Sequence, residues 1–229
     1  MLDRIAMAKK MAAERAVEFV EDGMMVGLGT GSTAYWAIQR LGERVREGLK
    51  IQAVGTSERT EALAQAAQIP IVDFSRVAQL DVAIDGADEV SRDFALTKGG
   101  GGALLREKLV ASAASRFIVI VDDTKLVRYL GKFPLPVEVV PFAWQLTKKR
   151  VEAAGCRSTL RMHEDQPFVT DNHNYILDCD FGEISDPASV HGYLKALPGV
   201  VETGLFINMA YVVVASDGQQ VALHYPDAG

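Results

Sequence analysis

The chain has 229 residues, with 24 Lys and Arg against 30 Asp and Glu and a formal net charge of −6. With 48% hydrophobic and 24% charged residues, it reads as an ordinary globular protein of one large domain or two unequal ones, and the acidic balance argues against a general nucleic-acid binder, which needs a basic surface. Two cysteines, Cys156 and Cys179, exclude a disulfide scaffold and an all-cysteine zinc site, and their apolar alternating surroundings mark both as core residues. No run of about 18 apolar residues occurs, so no membrane span is expected. The N-terminal segment, with Asp3 and no apolar stretch of signal length, does not read as a secretory signal, which makes the cytoplasm the default location.

Residues 2–20 have helical spacing, with Leu2, Ile5, Ala12, Ala13, Ala16, Val17 and Val20 on one stripe and Lys9 leaning toward it. Met24 to Leu28 reads as a short buried strand, and Gly29-Thr-Gly-Ser-Thr33 opens a helix to about Val45. A strand is predicted over 50–54, then a helix from Thr56-Ser57-Glu58 to about Gln68, with a hydroxyl cap and an acid in the first turn. Strands over 70–74 and 80–84 lead to Asp85-Gly-Ala-Asp88, and Gly99 to Gly102 opens a helix over 103–114. The apolar strand 117–121 follows. Helices alternating with short apolar strands imply a Rossmann-like parallel sheet covered on both faces, with the loops of interest beyond the carboxyl ends of its strands.

After about Gly131 the pattern changes. Strands over 136–140, 157–162, 167–170, 175–181 and 199–206, with helices over 142–154 and 186–197, give the order of a small ferredoxin-like α+β module. A hairpin over 211–215 and 221–224 is expected to rejoin the first domain. The predicted domains are therefore 1–130 with 207–229, and an inserted 131–206.

Four segments can carry chemistry. Gly29 to Thr33 places backbone N–H groups and hydroxyls at a helix N-terminus, where a small phosphate fits. The match to a dinucleotide fingerprint is formal only, because Gly55-Thr56-Ser57 stands where a dinucleotide site wants an acid. Asp85 and Asp88 can point into one cleft, for proton transfer, sugar hydroxyls or a cation, and are equally ordinary turn residues. Four consecutive glycines after Lys98 cost backbone entropy and pack nothing, which close approach of a ligand would explain; Glu107 lies early in the helix that follows. Lys125, after Asp122-Asp123, could meet a phosphate or be a solvated loop residue. The four histidines have no metal-ligand spacing.

Together these segments resemble type A ribose-5-phosphate isomerase. Further matches are Leu135-Pro-Val-Glu-Val139, Thr170-Asp-Asn172 and Pro198-Gly-Val-Val201 leading to Gly204-Leu-Phe206, in the family's order over nearly the whole chain. The resemblance implies interconversion of D-ribose 5-phosphate and D-ribulose 5-phosphate without a metal or organic cofactor. It implies Glu107 as the general base between C2 and C1, and Lys98 with the Gly99, Gly100, Gly101 and Gly102 amides as stabilisers of the enediolate oxygen. Asp85 and Asp88 would bind sugar hydroxyls, with Gly86 and Ala87 beside the substrate, and Asp85 would help open the furanose ring. Thr30, Gly31, Ser32 and Thr33 would hold the phosphate, aided by Lys125 and Lys9. A homodimer, or a tetramer, is implied as well. One position departs from the family: His173 stands where a glycine is usual, in a turn expected to lie in the small domain away from the chemistry. The competing readings are a non-catalytic sugar-phosphate sensor module and a nucleotide-dependent oxidoreductase.

Overall fold

The computed structural model of the chain describes residues 2–226; Met1 and residues 227–229, the outer ends of the expected first domain, lie outside them. The chain divides into two compact units. The first runs through Ala87, resumes over Arg106–Leu126 and again from Met209; the second comprises Asp88–Leu105 and Val127–Asn208. Among the described residues no helix is long and apolar enough to cross a membrane.

The first unit is built on a six-stranded sheet. In spatial order its strands are Gln52–Gly55, Met25–Leu28, Leu80–Gly86, Ala114–Asp122, Val212–Ser216 and Val221–His224. The first five are parallel and the last is antiparallel. The final hairpin thus rejoins this sheet, as expected. Period-2 alternation sends Val82, Ile84, Ile118, Ile120, Val212 and Val214 into one core. That core is closed by helices α1 (Arg4–Val17) and α2 (Ser32–Arg46). The other helices here are α3 (Glu58–Ala66), capped by the Ser57 side chain on Thr60 N, and α4 (Leu104–Ala113), along which the chain passes from the second unit back into the first.

Two local expectations are corrected. Leu2 and Ile5 are 41% and 37% exposed, and the buried stripe of α1 is instead Ala8, Ala12, Ala13, Ala16 and Val17. Small side chains on that stripe let α1 lie close against α2 and the sheet, and the larger residues at its start fall outside the contact. The strand predicted over 70–74 reduces to one bridge, Ile71 to Ala53. Asp73 then caps a single 3-10 turn by accepting from Ser75 N, which ends the extended path.

The chain order of this sheet positions a crevice. Met25–Leu28 lies between Gln52–Gly55, which follows it, and Leu80–Gly86, which comes next. The winding reverses there, so the loops leaving Met25–Leu28 and Leu80–Gly86 diverge at the carboxyl ends of the strands.

The second unit contains a four-stranded antiparallel sheet, ordered Val200–Thr203, Leu135–Val139, Tyr175–Asp180 and Arg157–Leu160. With α5 (Trp144–Glu152) and α6 (Pro187–Lys195) it follows the predicted ferredoxin-like order. Its core includes Leu135, Val137, Val139, Val151, Leu177 and Leu194, together with both cysteines, which are free thiols. The helix expected from Phe142 starts only at Trp144, because Ala143 takes a left-handed conformation at φ +53°. The strand expected over 167–170 is instead the two-residue Gln166–Pro167, paired with Met162–His163; Thr170 organises a turn.

The unit boundary also differs from the expected one. Glu89–Val90 and Leu96–Thr97 form a second small sheet with Leu205–Phe206, so residues 88–105 join the second unit. The Lys98 N–H to Gly204 O bond, 2.8 Å, continues that pairing into the glycine run. Lys98 and the four glycines therefore belong to the same compact unit as the His173 turn.

In that turn the Thr170 hydroxyl accepts from Asn172 N and Asn174 N and donates to Glu138, whose carboxylate also accepts from the Asn174 amide. Burial raises the Glu138 pKa against the opposing pull of these donors. His173 closes the turn at φ +62°, the left-handed region. Such a conformation costs a non-glycine residue about 1–2 kcal/mol, against about 0.5–1 kcal/mol for the extra chain entropy that glycine loses. His173→Gly is therefore expected to stabilise the protein by about 0.5–1 kcal/mol, a rise in Tm of roughly 1–4 °C. Thermal denaturation checks this, and an unchanged or lower Tm contradicts it.

Candidate active site

In the first unit the Gly29–Thr33 loop leaves strand Met25–Leu28 and turns into α2 at Gly31, a cap with no side-chain bond of its own. The first-turn N–H groups of α2 are thereby presented to an anion. The Lys9 ammonium, from α1, donates to Ser32 Oγ at 3.0 Å, which brings one predicted phosphate residue to another. Lys125 is half-buried in the 3-10 turn Asp123–Lys125, beyond the carboxyl end of Ala114–Asp122. Its side chain makes no hydrogen bond or ion pair among the described residues.

The Thr30 hydroxyl is directed inward. It lies 2.7 Å from Thr56 Oγ1, 2.8 Å from Ser57 Oγ and 2.9 Å from Thr60 Oγ1, and Thr60 in turn donates to Gly29 O at 2.9 Å. This side chain braces the loop through a cluster of four hydroxyls, leaving the exposed Ser32 and the backbone as the loop's outward donors. Thr60 is a contributor that sequence reasoning missed: inside a helical pattern, a threonine gives no sign that it reaches a loop 31 residues away.

Asp85 is only 3% exposed. Its Oδ1 accepts from Thr30 N at 3.1 Å and from Gly86 N at 2.7 Å, so two backbone amides fix the carboxylate against the loop. This fit requires glycine at 29: a Cβ there would lie 2.1 Å from Asp85 Oδ1 and 2.6 Å from its Cα. Gly29→Ala must displace Asp85 or the loop. Because displacements near 1 Å can cost a site about 100-fold, kcat/KM is expected to fall by about that factor or more. Steady-state kinetics on the folded variant measures it, and a change under threefold would show that neither group matters for turnover.

In the second unit Asp88 Oδ2 accepts from Gly100 N at 2.8 Å. The residue predicted to bind sugar hydroxyls thus also fastens the glycine run. Glu89, beside it, is a structural carboxylate: it accepts from Gly131 N at 2.8 Å and Phe133 N at 2.9 Å. Gly99 and Gly102 hold φ values of +101° and +80°, and a Gly102 N–H to Gly99 O bond of 3.0 Å closes the run into a tight turn. Those two glycines are needed for backbone shape. Lys98 is 2% exposed, and its ammonium lies 5.4 Å from the centroid of the Phe206 ring. The run feeds directly into α4, whose first turn carries Glu107, 4% exposed.

The chain matches known proteins along most of its length. A family model described as ribose 5-phosphate isomerase A (phosphoriboisomerase A) matches residues 52–220. The ribose-5-phosphate isomerase A of Bacillus mycoides (strain KBAB4) is 55% identical over 202 residues, 88% of this chain and 91% of that one. A solved D-ribose-5-phosphate isomerase in complex with phospho-erythronic acid aligns with a TM-score of 0.94 at 41% identity, covering 96% of this chain and 99% of that one. The ribose 5-phosphate isomerase A of Methanocaldococcus jannaschii aligns with a TM-score of 0.90 at 38% identity, covering 95% and 97%. On the extent of these matches, the chain belongs to the ribose 5-phosphate isomerase A family.

Proposed function

We propose that the protein interconverts D-ribose 5-phosphate and D-ribulose 5-phosphate through an enediolate, in the non-oxidative branch of the pentose phosphate pathway. One observation carries the assignment of roles: a buried ammonium, Lys98, and a buried carboxylate, Glu107, flank the same glycine run. Charged groups are costly to bury, and chemistry at those positions explains why they are retained.

The isomerisation removes a proton from the carbon next to a carbonyl and returns it to the neighbouring carbon. Glu107 takes the C2 proton of the open-chain aldose and delivers it to C1, while the proton of the C2 hydroxyl passes to the former carbonyl oxygen at C1. Negative charge then grows on the carbonyl oxygen, and Lys98 with the glycine-run amides meets it; one such donor is commonly worth about 3–4 kcal/mol of barrier. Asp85 and Asp88 hold sugar hydroxyls, with Gly86 and Ala87 beside the substrate, and Asp85 assists ring opening. The α2 amides, Ser32, Thr33, Lys9 and Lys125 take the phosphate, whose charge of about −1.5 to −2 is the handle that orients the reacting end. Local donors suffice for this despite the net charge of −6.

The same reading places the protein in the cytoplasm as a homodimer or a tetramer, which light scattering on the purified protein distinguishes. The relatives are isomerases by name, which disfavours the sensor alternative. The deciding experiment is to incubate the protein with ribose 5-phosphate and EDTA, without nicotinamide, and follow ribulose 5-phosphate. Approach to equilibrium is expected. Binding of ribose 5-phosphate without turnover would restore the sensor reading.

A further inference from the structure

Arg161 lies in the second unit, between strands Arg157–Leu160 and Met162–His163. Its guanidinium is turned toward the glycine run. Nη1 donates to Gly99 O at 2.8 Å and to Gly100 O at 3.3 Å. Nε and Nη2 form a two-pronged pair with Asp178, at 2.9 Å and 2.5 Å. The pair is largely withdrawn from solvent, with side-chain exposures of 14% and 27%. The guanidinium carbon lies 5.9 Å from the centroid of the Phe168 ring, which packs where a Cβ on Gly102 would sit. Backbone bonds from Arg161 N to Ile176 O and from Phe168 N to Arg161 O fix the base of the side chain.

The consequence follows from peptide geometry. In a trans peptide the carbonyl and the next residue's N–H point in opposite directions within one rigid plane. All peptides here are trans. Holding Gly99 O therefore orients Gly100 N–H, which meets Asp88. Holding Gly100 O orients Gly101 N–H away from Arg161. Among the described residues that N–H has no acceptor, and Gly101 is exposed. Four glycines in a row would otherwise leave these planes free to rotate.

We propose that Arg161, braced by Asp178, is a positioning residue that sets the peptide planes of the glycine run and aims Gly101 N–H as an anion donor. This rests on the reading of the run as the enediolate stabiliser. A planar guanidinium suits the task because it can engage a carboxylate with two N–H groups while another reaches two carbonyls, which a lysine cannot do.

The test uses Arg161→Met, which keeps an apolar stem, and Arg161→Lys, which keeps the charge. Wild type must first convert ribose 5-phosphate to ribulose 5-phosphate; if it does not, the isomerase reading fails, whatever Arg161 does. Given wild-type turnover, both variants are expected to lose about 10- to 100-fold in kcat, with KM changed by less than about threefold. Affinity for phospho-erythronic acid, whose carboxylate places negative charge at the reacting end, should weaken in step with kcat, while affinity for inorganic phosphate stays constant. Asp178→Asn should give a smaller loss of the same kind. Unchanged kcat in a folded Arg161→Lys protein overturns the proposal. So does a loss confined to thermal stability, or one shared equally by kcat, KM and phosphate affinity, since a merely structural role would produce those.

Discussion

Glu107→Gln is expected to lower kcat by about three orders of magnitude or more, while ribose 5-phosphate still binds within a few-fold of wild type. The substitution is nearly isosteric, so the first turn of α4 and the packing around this buried position are preserved. The amide cannot accept the C2 proton, and general-base assistance typically contributes about 100- to 10,000-fold. Exchange in deuterated water offers an independent readout: wild type should incorporate deuterium at the carbons between which the proton moves, and the variant should not. Glu107→Asp should fall between the two, since the base is retained but withdrawn by one methylene. Near-normal turnover in a folded Glu107→Gln protein would transfer the base role to another carboxylate, Asp85 being the first to examine.

That prediction concerns a residue legible in the sequence because an acid shortly after a long glycine run is uncommon and local. The same holds for most of the first unit. Strands such as 117–121 are continuously apolar, which is what a doubly covered parallel strand requires, and Gly29 to Thr33 combines turn residues with hydroxyls within five positions. What escaped was set by partners distant in sequence. Glu89–Val90 and Leu96–Thr97 are two residues long, too short to show a period, and only their pairing with Leu205–Phe206 assigns the glycine run to the second unit. Arg161 looks like a solvated charge near the end of a strand, whereas its carbonyl partner Gly99 is 62 residues away. Thr30 was legible as a candidate site residue, but not in which direction its hydroxyl points. That depends on Thr56, Ser57 and Thr60 arriving from the next strand and helix. Leu2 and Ile5 fit the helical period and still face solvent, because a stripe of alanines already fills the contact.

Lys98→Met is the second large expected effect, a fall in kcat of about 100- to 1,000-fold, the range seen when a single oxyanion donor is removed. Methionine is chosen over alanine because Lys98 is among the largest fully buried side chains of the protein. Truncation would open a cavity and mix a packing defect into the kinetics. Methionine keeps most of the stem against Phe206 and removes the ammonium with its donors. If Lys98 acts on the enediolate, its interaction strengthens as charge moves onto the oxygen, so kcat falls further than KM rises, and affinity for phospho-erythronic acid falls with kcat/KM. If Lys98 instead holds a substrate hydroxyl equally in both states, KM rises and kcat stays near wild type. The ratio of the two changes therefore decides the role. The comparison with Arg161→Met then separates a donor from the residue that aims a donor. Adding Arg161→Met to Lys98→Met should cost less than the product of the single losses if Lys98 and the glycine-run amides stabilise the same charge, and the full product if they act independently.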